Sequence, residues 1–579
     1  QLRKTLPRNK NSFEQEIILL PDSFFTVNHG KKSKRLIVSA RTPDGKTFRL
    51  KYRKIDQNSI RINNKVDSAL KLKITVLPKQ PLENKVWYRT AQTAARLFMM
   101  ARNVTISYRN QYSMSLPGFM PTIGNAFGQT RGAGLLSPGL DFAFGLTDDS
   151  YINKARQNDW LLINDSVATP ATINKTEDLQ LRMTLEPIKN LKIDLNASRM
   201  ETVSKSVQYM YAGNPTTQSG TFTMTTIALR SAFEGIGSAN NGFHSPSFIR
   251  FCNALDGFRN RVEALYAGSV YPAGSSLAGT PFNPVNGTVS KYSADVMIPA
   301  FISTYTSMSG KSLSLFPALS RMLPNWKLRY SGLGSLPWFR NVFKSVNINH
   351  SYKSIFAIGS YNTFSTFQEY MNGLGFITDA TTGNPIPNSM YNISAVSINE
   401  AFSPLLGIDL TFNNNLTAKV EYRTTRVLNL STTSIQINEA VSRDWVVGMD
   451  YKINDFNLFG IGNSRRVKSK ARNKQKQQNQ TQNTAVPSKS NTNHSLNLRM
   501  DISYRRQASI SRDIASMTSF ASMGNTAFKL SFMADYTLSK LLTMSFYYDH
   551  QTNTPLLSSN SYPTTTRDFG LSLKFSLTR

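Results

Sequence analysis

Near its carboxyl end the chain alternates apolar and polar residues over two whole strands. The apolar positions are Phe528, Leu530, Phe532, Ala534, Tyr536 and Leu538, and after residues 539–541 they resume with Leu542, Met544, Phe546 and Tyr548. A strand points successive side chains to opposite faces, so each segment has one apolar and one polar face. The apolar face needs either a second protein layer or lipid, as in a membrane barrel.

The same alternation recurs along most of the chain, in segments beginning at Val104, Leu179, Leu191, Ile408, Leu416, Val447, Leu496 and Phe569. Eight or more such segments predict an all-β fold, an antiparallel transmembrane β-barrel segment. The residues predicted to face lipid are Leu410, Phe412, Val420, Tyr422 and Leu530.

Charged residues occupy the alternate positions of these strands, namely Lys419, Glu421, Arg423, Arg499, Asp501 and Arg505. Such side chains cannot lie unpaired in a dry core, but they can line a wet passage. The alternative is a sandwich whose charges face solvent. That alternative needs a covering layer for each apolar face, and residues 101–579 contain little helical sequence to supply one.

The pattern divides the chain into three parts. Residues 1–80 form a small β-rich module, 81–100 a connecting helix, and 101–579 the C-terminal arc of the barrel. The strands of residues 12–78 could instead belong to the barrel. Within the arc, an insert over 231–324 contains a helix at 246–266, capped by Ser245, and a second helix at 293–305 with a break at Pro299. A mobile basic loop covers 464–495.

Short turns predict the orientation of the arc, because bacterial barrels keep short turns in the periplasm. The turns at 187–189, 413–415 and 539–541 are therefore predicted to be periplasmic, with outer loops near 507–526 and 550–566. This count places the basic loop in the periplasm, as a contact arm for acidic partners or simply as a solvated loop. A cysteine at Gln478 that reacts with a surface label in intact cells would contradict this placement.

Composition excludes several functions. The net charge is +32, but most Lys and Arg residues are spaced singly along strands, which favours lipid head groups or a basic lumen over nucleic acid. Cys252 is the only cysteine, and the five histidines (His29, His244, His350, His494 and His550) lack metal-ligand spacing. We therefore expect no enzyme activity, no cofactor, no metal and no nucleic-acid partner.

Several phrases resemble a known family: residues 102–121 (RNVTISYRNQYSMSLPGFMP), 323–333 (LPNWKLRYSGL), 397–431 and 443–456. They are similar to the C-terminal part of the SprA/Sov family, the outer-membrane translocon of the type IX secretion system, which also serves gliding motility. The resemblance runs across nearly the whole chain and implies that the chain is cut from a longer protein. It also implies one barrel of about 36 strands, of which this chain would supply about 12 to 16.

The resemblance further implies a wide pore in the outer membrane of a Gram-negative cell, exporting folded cargo proteins that bear a C-terminal sorting domain. The implied partners are the PorV shuttle barrel, a plug protein, a peptidyl-prolyl isomerase and the lipid bilayer. No catalytic residue is carried over. Two rival functions remain: another large barrel for nutrient transport or lipopolysaccharide assembly, and a soluble basic protein that binds nucleic acid or glycan.

Overall fold

The computed structural model describes residues 12–576, apart from 33–35, 64–67, 79–99, 125, 133–134, 164–168, 210–215, 287, 309, 311, 372, 380, 455, 457–493, 539–540 and 558–561. The chain divides into two compact units, residues 1–100 and 101–579. The predicted connecting helix over 81–100, except Met100, and the predicted basic loop over 464–495, except its last two residues, lie outside the described residues.

The first unit contains two antiparallel sheets that share one core. Its strands are β1 (Phe13–Leu19), β2 (Phe24–Asn28), β3 (Leu36–Arg41), β4 (Thr47–Phe48), β5 (Tyr52–Lys54), β6 (Ser59–Asn63) and β7 (Leu70–Pro78). One sheet has the order β1-β7-β3-β4 and the other β2-β6-β5. Leu72, Ile74 and Val76 alternate with lysine and threonine and are fully buried beside Ile60 and Ile62 of the other sheet. Residues 48–52 alternate apolar and basic side chains, but they do not form one strand, because β4 and β5 belong to different sheets.

The second unit is built on a 14-stranded antiparallel sheet, which we call the wall. Its strands are β8 (Ala101–Ser115), β11 (Ala171–Leu185), β12 (Leu191–Val207), β13 (Thr217–Thr225), β14 (Asn325–Tyr330), β15 (Phe343–Thr363), β19 (Tyr391–Ile393), β20 (Ala395–Phe412), β21 (Leu416–Ser431), β22 (Gln436–Asn454), β23 (Ser495–Asp513), β24 (Thr518–Thr537), β25 (Leu542–Pro555) and β26 (Thr564–Phe575). The main order is β26-β25-β24-β23-β22-β21-β20-β15-β13-β12-β11-β8. Two small sheets contain the remaining strands, β9 (Thr130–Gly132), β10 (Leu135–Ser137), β16 (Gln368–Met371), β17 (Leu374–Thr378) and β18 (Pro385–Ser389).

One strand position of the wall is filled by two separate pieces of chain. β13 and β14 both pair between β12 and β15: Met224 lies opposite Arg199, and Asn325 lies opposite Asn196. The chain leaves the wall after Thr225 and returns at Asn325, so the insert spans 226–324. Hydrogen bonds close this interruption, since the Thr226 amide donates to the Ser354 carbonyl at 3.1 Å and the Ser354 amide donates to the Asn325 side chain at 2.8 Å.

The described helices are short or amphipathic. They are α1 (Leu140–Ala143), α2 (Tyr151–Gln157), α3 (Pro246–Leu265), α4 (Ala294–Tyr305) and α5 (Pro337–Arg340), with 3-10 turns at Ala239–Asn241, Pro284–Asn286, Leu319–Arg321 and Leu333–Ser335. Among them, none combines the length and hydrophobicity of a membrane-crossing helix. The Ser245 hydroxyl accepts from the Phe248 amide and caps α3 as predicted. The predicted break at Pro299 is wrong: α4 continues through it, because the helix is buried on nearly every side and packing offsets the lost hydrogen bond.

Connections leave the wall at the two opposite ends of its strands, which we call the turn edge and the loop edge. The turn edge holds the connections 186–190, 413–415 and 538–541, and Asn454 and Ser495, which flank the basic loop, also lie there. The connection 331–342 also lies at the turn edge, because Tyr330 is opposite Leu191 and Phe343 is opposite Phe412. The connections that follow Ser431, Asp513 and Pro555 lie at the loop edge, and the loops predicted near 507–526 and 550–566 are shorter than expected. β23 reaches Asp513 and β24 begins at Thr518, because ladder hydrogen bonds extend the strands beyond the apolar alternation.

A buried carboxyl makes the insert sensitive to pH. Burial raises the pKa of Asp295 in α4 to about 6, although hydrogen bonds from Ser389 oppose the shift. Because the pKa of Asp295 is higher in the folded protein than in the unfolded chain, its bound proton stabilises the fold. This stabilisation is complete at pH values below the ordinary pKa near 3.8 and is lost as the pH rises through about 6. We expect the insert to unfold at lower temperature at pH 8 than at pH 5, because its free energy of unfolding falls by about 1.4 kcal/mol between these two values.

The variant Asp295→Asn should remove most of this dependence, since it cannot ionise. Thermal unfolding followed by intrinsic fluorescence between pH 4 and 8 measures the effect. An unchanged pH dependence in the variant would contradict this role of Asp295.

Candidate functional site: a membrane belt and a polar face

The register of the wall sorts its side chains onto two faces. Across β21–β24, directly opposed residues form the row Val420, Val447, Ile502 and Leu530 and the neighbouring row Ala418, Met449, Met500 and Phe532. We call this side the apolar face. The intervening rows carry Lys419, Glu421, Asp501 and Ser531, and we call that side the polar face.

All five residues predicted to face lipid lie on the apolar face. Leu410 is opposite Ala418, and Phe412 follows it two residues later on the same side of β20. Val420 and Leu530 belong to the first row named above, and Tyr422, two residues after Val420, is opposite Trp445. None of the five is among the buried core residues, and Phe546 on the same face is 40% exposed. The apolar alternation is therefore not sealed inside a compact protein core at these positions.

The apolar face is continuous over about one membrane thickness. In β23 it runs from Leu496 to Tyr504, nine residues, and in β24 from Phe528 to Tyr536. A tilted transmembrane strand needs about 9 to 11 residues. We call this zone, which adjoins the turn edge, the belt. It ends towards the loop edge in a row of four opposed aromatic side chains, Tyr422, Trp445, Tyr504 and Phe528, the type of residue that marks membrane interfaces.

The strands continue well beyond the belt. β23 has 19 residues and is about 65 Å long at roughly 3.4 Å per residue, so half of it lies past the aromatic row. On this half the insert covers much of the apolar face. Phe356, Ile398 and Leu428 of the wall pack in one core with Phe251 of α3 and Phe301 of α4. The expectation that helices could not cover the apolar face is thus wrong for this half, because the insert folds back onto the same face.

The connection between β8 and β11 covers the apolar face in the same way. Tyr151 and Trp160 of this connection pack with Ile173 of β11. The partly buried side chains of Tyr112 and Met114 of β8 pack against this cluster. The exposed belt is therefore bordered on its loop-edge side by two folded excursions, one from 116–170 and one from 226–324.

A buried ion triad joins the wall to the insert. Glu439 of β22 accepts from the Arg426 Nε at 2.7 Å and from the Arg512 Nε at 2.8 Å. The side chains of all three are at most 7% exposed. Each arginine also donates to an insert carbonyl, Arg426 to Ser231 at 2.6 Å and Arg512 to Phe243 at 2.7 Å. Sequence reasoning missed this triad, because its members sit on the face that alternation assigns to apolar residues.

The polar face carries charges that are paired along and between strands. Glu421 bridges Lys419 at 2.8 Å and Arg423 at 2.9 Å within β21. Arg499 pairs with Asp501 at 3.0 Å, and Arg505 pairs with Asp444 of the next strand at 3.0 Å. All six charged residues predicted to line a wet passage lie here. Both signs are present, so the face is hydrated without being strongly basic.

The wall has two edge strands among the described residues, β8 and β26, each paired on one side. Their apolar side chains are the most exposed of the belt: Ile106 is 68% exposed and Phe569 is 77% exposed. An unpaired strand edge in hydrocarbon is prohibitively costly. In a membrane-embedded wall, β8 and β26 therefore each need a strand to pair with.

The described residues contain no cluster of three His, Cys, Asp or Glu side chains able to hold a metal. Cys252 is buried in α3, and burial raises the pKa of its thiol to about 11, which keeps it protonated and weakly reactive.

No family model and no curated protein matches the sequence. The wall is similar to solved outer-membrane β-barrel proteins. One is the beta domain of the Bordetella autotransporter BrkA, with 6% identity and a TM-score of 0.19 over 70% of this chain and 92% of the other. Another is the trimeric outer-membrane protein OmpT of Vibrio cholerae, with 10% identity and a TM-score of 0.17 over 70% and 92%. At such scores the assignment of the fold rests on the strand register alone.

Proposed function

We propose that the wall is part of a protein-conducting outer-membrane pore that exports folded cargo in type IX secretion. The observation that carries the proposal is the division of one continuous sheet into a membrane-high apolar belt and a hydrated face of paired charges. Lipid covers the belt, and the polar face lines a lumen. The resemblance of the sequence to the SprA/Sov family supplies the type of pore.

Transport through such a lumen needs no catalytic residue, and we propose that the chain is not an enzyme. Mixed charges hold water at the polar face, so folded cargo slides past without displacing it. We propose the partners that the resemblance implies: cargo proteins with a C-terminal sorting domain, the PorV shuttle barrel, a plug protein and a peptidyl-prolyl isomerase. Lipid is the partner of the belt.

Adjacent positions on the two faces test the proposal in the native cell. A photo-crosslinking residue at Lys529, which is exposed on the polar face, is expected to capture cargo during active export. The same residue at Leu530, one position along β24 on the apolar face, should capture lipid and no cargo. Cargo captured equally at both positions, or a protein that carbonate washes from the membrane, would refute a lumen on the polar side.

The sorting domain distinguishes the type of pore. Cargo from which the C-terminal sorting domain is deleted should lose the crosslink at Lys529. If it is captured as efficiently as intact cargo, the assignment to type IX secretion fails, although a pore remains.

A further inference from the structure

Two arginines lie directly opposite each other on the apolar face, one step beyond the aromatic row. Arg443 of β22 pairs in register with Arg506 of β23, two residues from Trp445 and Tyr504 in their own strands. Like charges at directly opposed positions destabilise a sheet, because their side chains are held close together. A bound anion would offset this repulsion between the two guanidinium groups.

No carboxylate of the described residues supplies that anion. The Arg506 guanidinium is exposed and makes no ion pair or side-chain hydrogen bond within the described part of the chain. Arg443 is partly buried and donates only to the Glu234 carbonyl of the insert, at 2.6 Å. The carboxylate of Glu234 is engaged elsewhere, since it accepts from Ser245 at 2.8 Å and from the Ser247 amide at 3.1 Å.

The neighbouring side chains add hydroxyl donors to the pair. Thr424 of β21 is opposite Arg443, and Thr526 of β24 is opposite Arg506, so the four residues form one row across four strands. We call this the arginine row. Two guanidinium groups with hydroxyls on either side are the donor set that a phosphate monoester or diester takes, and arginine binds phosphate through two parallel hydrogen bonds.

We propose that the arginine row binds the phosphate of an anionic lipid head group in the leaflet next to the loop edge. This site rests on the proposed function only in so far as the belt faces lipid. The aromatic row marks the boundary between hydrocarbon and head groups, so the next position along each strand lies at head-group depth. Cations at this depth attract anionic lipid, and here two arginines occupy directly opposed positions of neighbouring strands.

Lipid retention by the full-length protein purified from its native membrane tests the site. The protein is placed in phosphatidylcholine nanodiscs with added lipid A, which bears phosphate, or with dephosphorylated lipid A, and bound lipid is counted by native mass spectrometry. We expect the wild type to retain lipid A, and Arg506→Gln to retain about tenfold less, the loss typical of charge-assisted hydrogen bonds. Arg505→Gln is the matched control, since its side chain lies on the polar face beside Asp444, and it should retain as much as the wild type.

Three outcomes would overturn the proposal. Equal retention by Arg506→Gln and Arg505→Gln removes the arginine row from binding. Equal retention of dephosphorylated lipid A shows that phosphate is not recognised, and displacement of lipid A by millimolar inorganic phosphate assigns the site to a free anion. Failure of the proposed function gives different results: a protein whose belt does not face lipid would not enter the nanodisc, and a pore of another type would enter it but export no cargo with a sorting domain. Failure of this site leaves both insertion and cargo export intact.

Discussion

The variant Glu439→Gln is expected to release the insert from the wall and to lower the free energy of unfolding by about 3 to 5 kcal/mol. The substitution leaves the buried guanidinium groups of Arg426 and Arg512 without their counter-charge, at positions that water does not reach. Both arginines also hold insert carbonyls, so their displacement propagates to residues 231–243. Limited proteolysis within 226–324, together with thermal unfolding, measures the loss.

The ion pair Arg499–Asp501 provides the control. Its side chains are 61% and 48% exposed, so Asp501→Asn is expected to cost less than about 1 kcal/mol. An apolar replacement of all three triad members, Arg426→Met, Glu439→Leu and Arg512→Met, should recover much of the stability, because it leaves no buried charge unpaired. If Glu439→Gln resists protease as well as the wild type, the triad does not hold the insert.

The variant Phe532→Arg is expected to prevent stable insertion of the wall into the membrane. Phe532 lies in the middle of the belt, where its row contains Met449 and Met500. An arginine on the lipid face at the centre of the bilayer costs about 2 to 4 kcal/mol, and the lost aromatic packing adds to this. Resistance of the full-length protein to urea in the outer membrane, compared between variants, gives the measurement.

The adjacent residue tests which face is dry. Ser531 points to the polar face between Asp501 and Asp549, so Ser531→Arg places its charge in water beside two carboxylates and should be tolerated. Phe532→Leu separates the loss of ring volume from the added charge and should behave nearly as the wild type. If Phe532→Arg and Ser531→Arg are equally stable, hydrocarbon does not cover the belt.

Alternation alone was enough to predict the belt. Val420, Ile502 and Leu530 are separated by long stretches of sequence, yet each lies on the apolar side of its own strand, and the period of two decides that locally. The same period placed Lys419 and Asp501 on the opposite side. The pairing register then had only to align these strands side by side. A slip of one residue would have turned the apolar side chains to the polar face.

Alternation and proline position gave wrong predictions where the surroundings differ from those of the belt. Arg426, Glu439 and Arg512 follow the apolar period, but they lie beyond the belt, where the insert supplies carbonyl acceptors and the three charges neutralise one another. Pro299 interrupts no helix because the surrounding core holds α4 in place. No pattern within one strand reveals either environment, since both depend on chain that is distant in sequence.

The sequence by itself determined the strands, their two faces and the alternation that makes an apolar belt, because side-chain direction in a strand depends only on position along it. Only the tertiary structure decided that β13 and β14 share one strand position, and that the insert leaves through it to cover the apolar face. It also brought Arg443 beside Arg506. These features depend on which strands become neighbours and in which register, and that choice is made by ladder pairing and packing between segments that lie far apart along the chain.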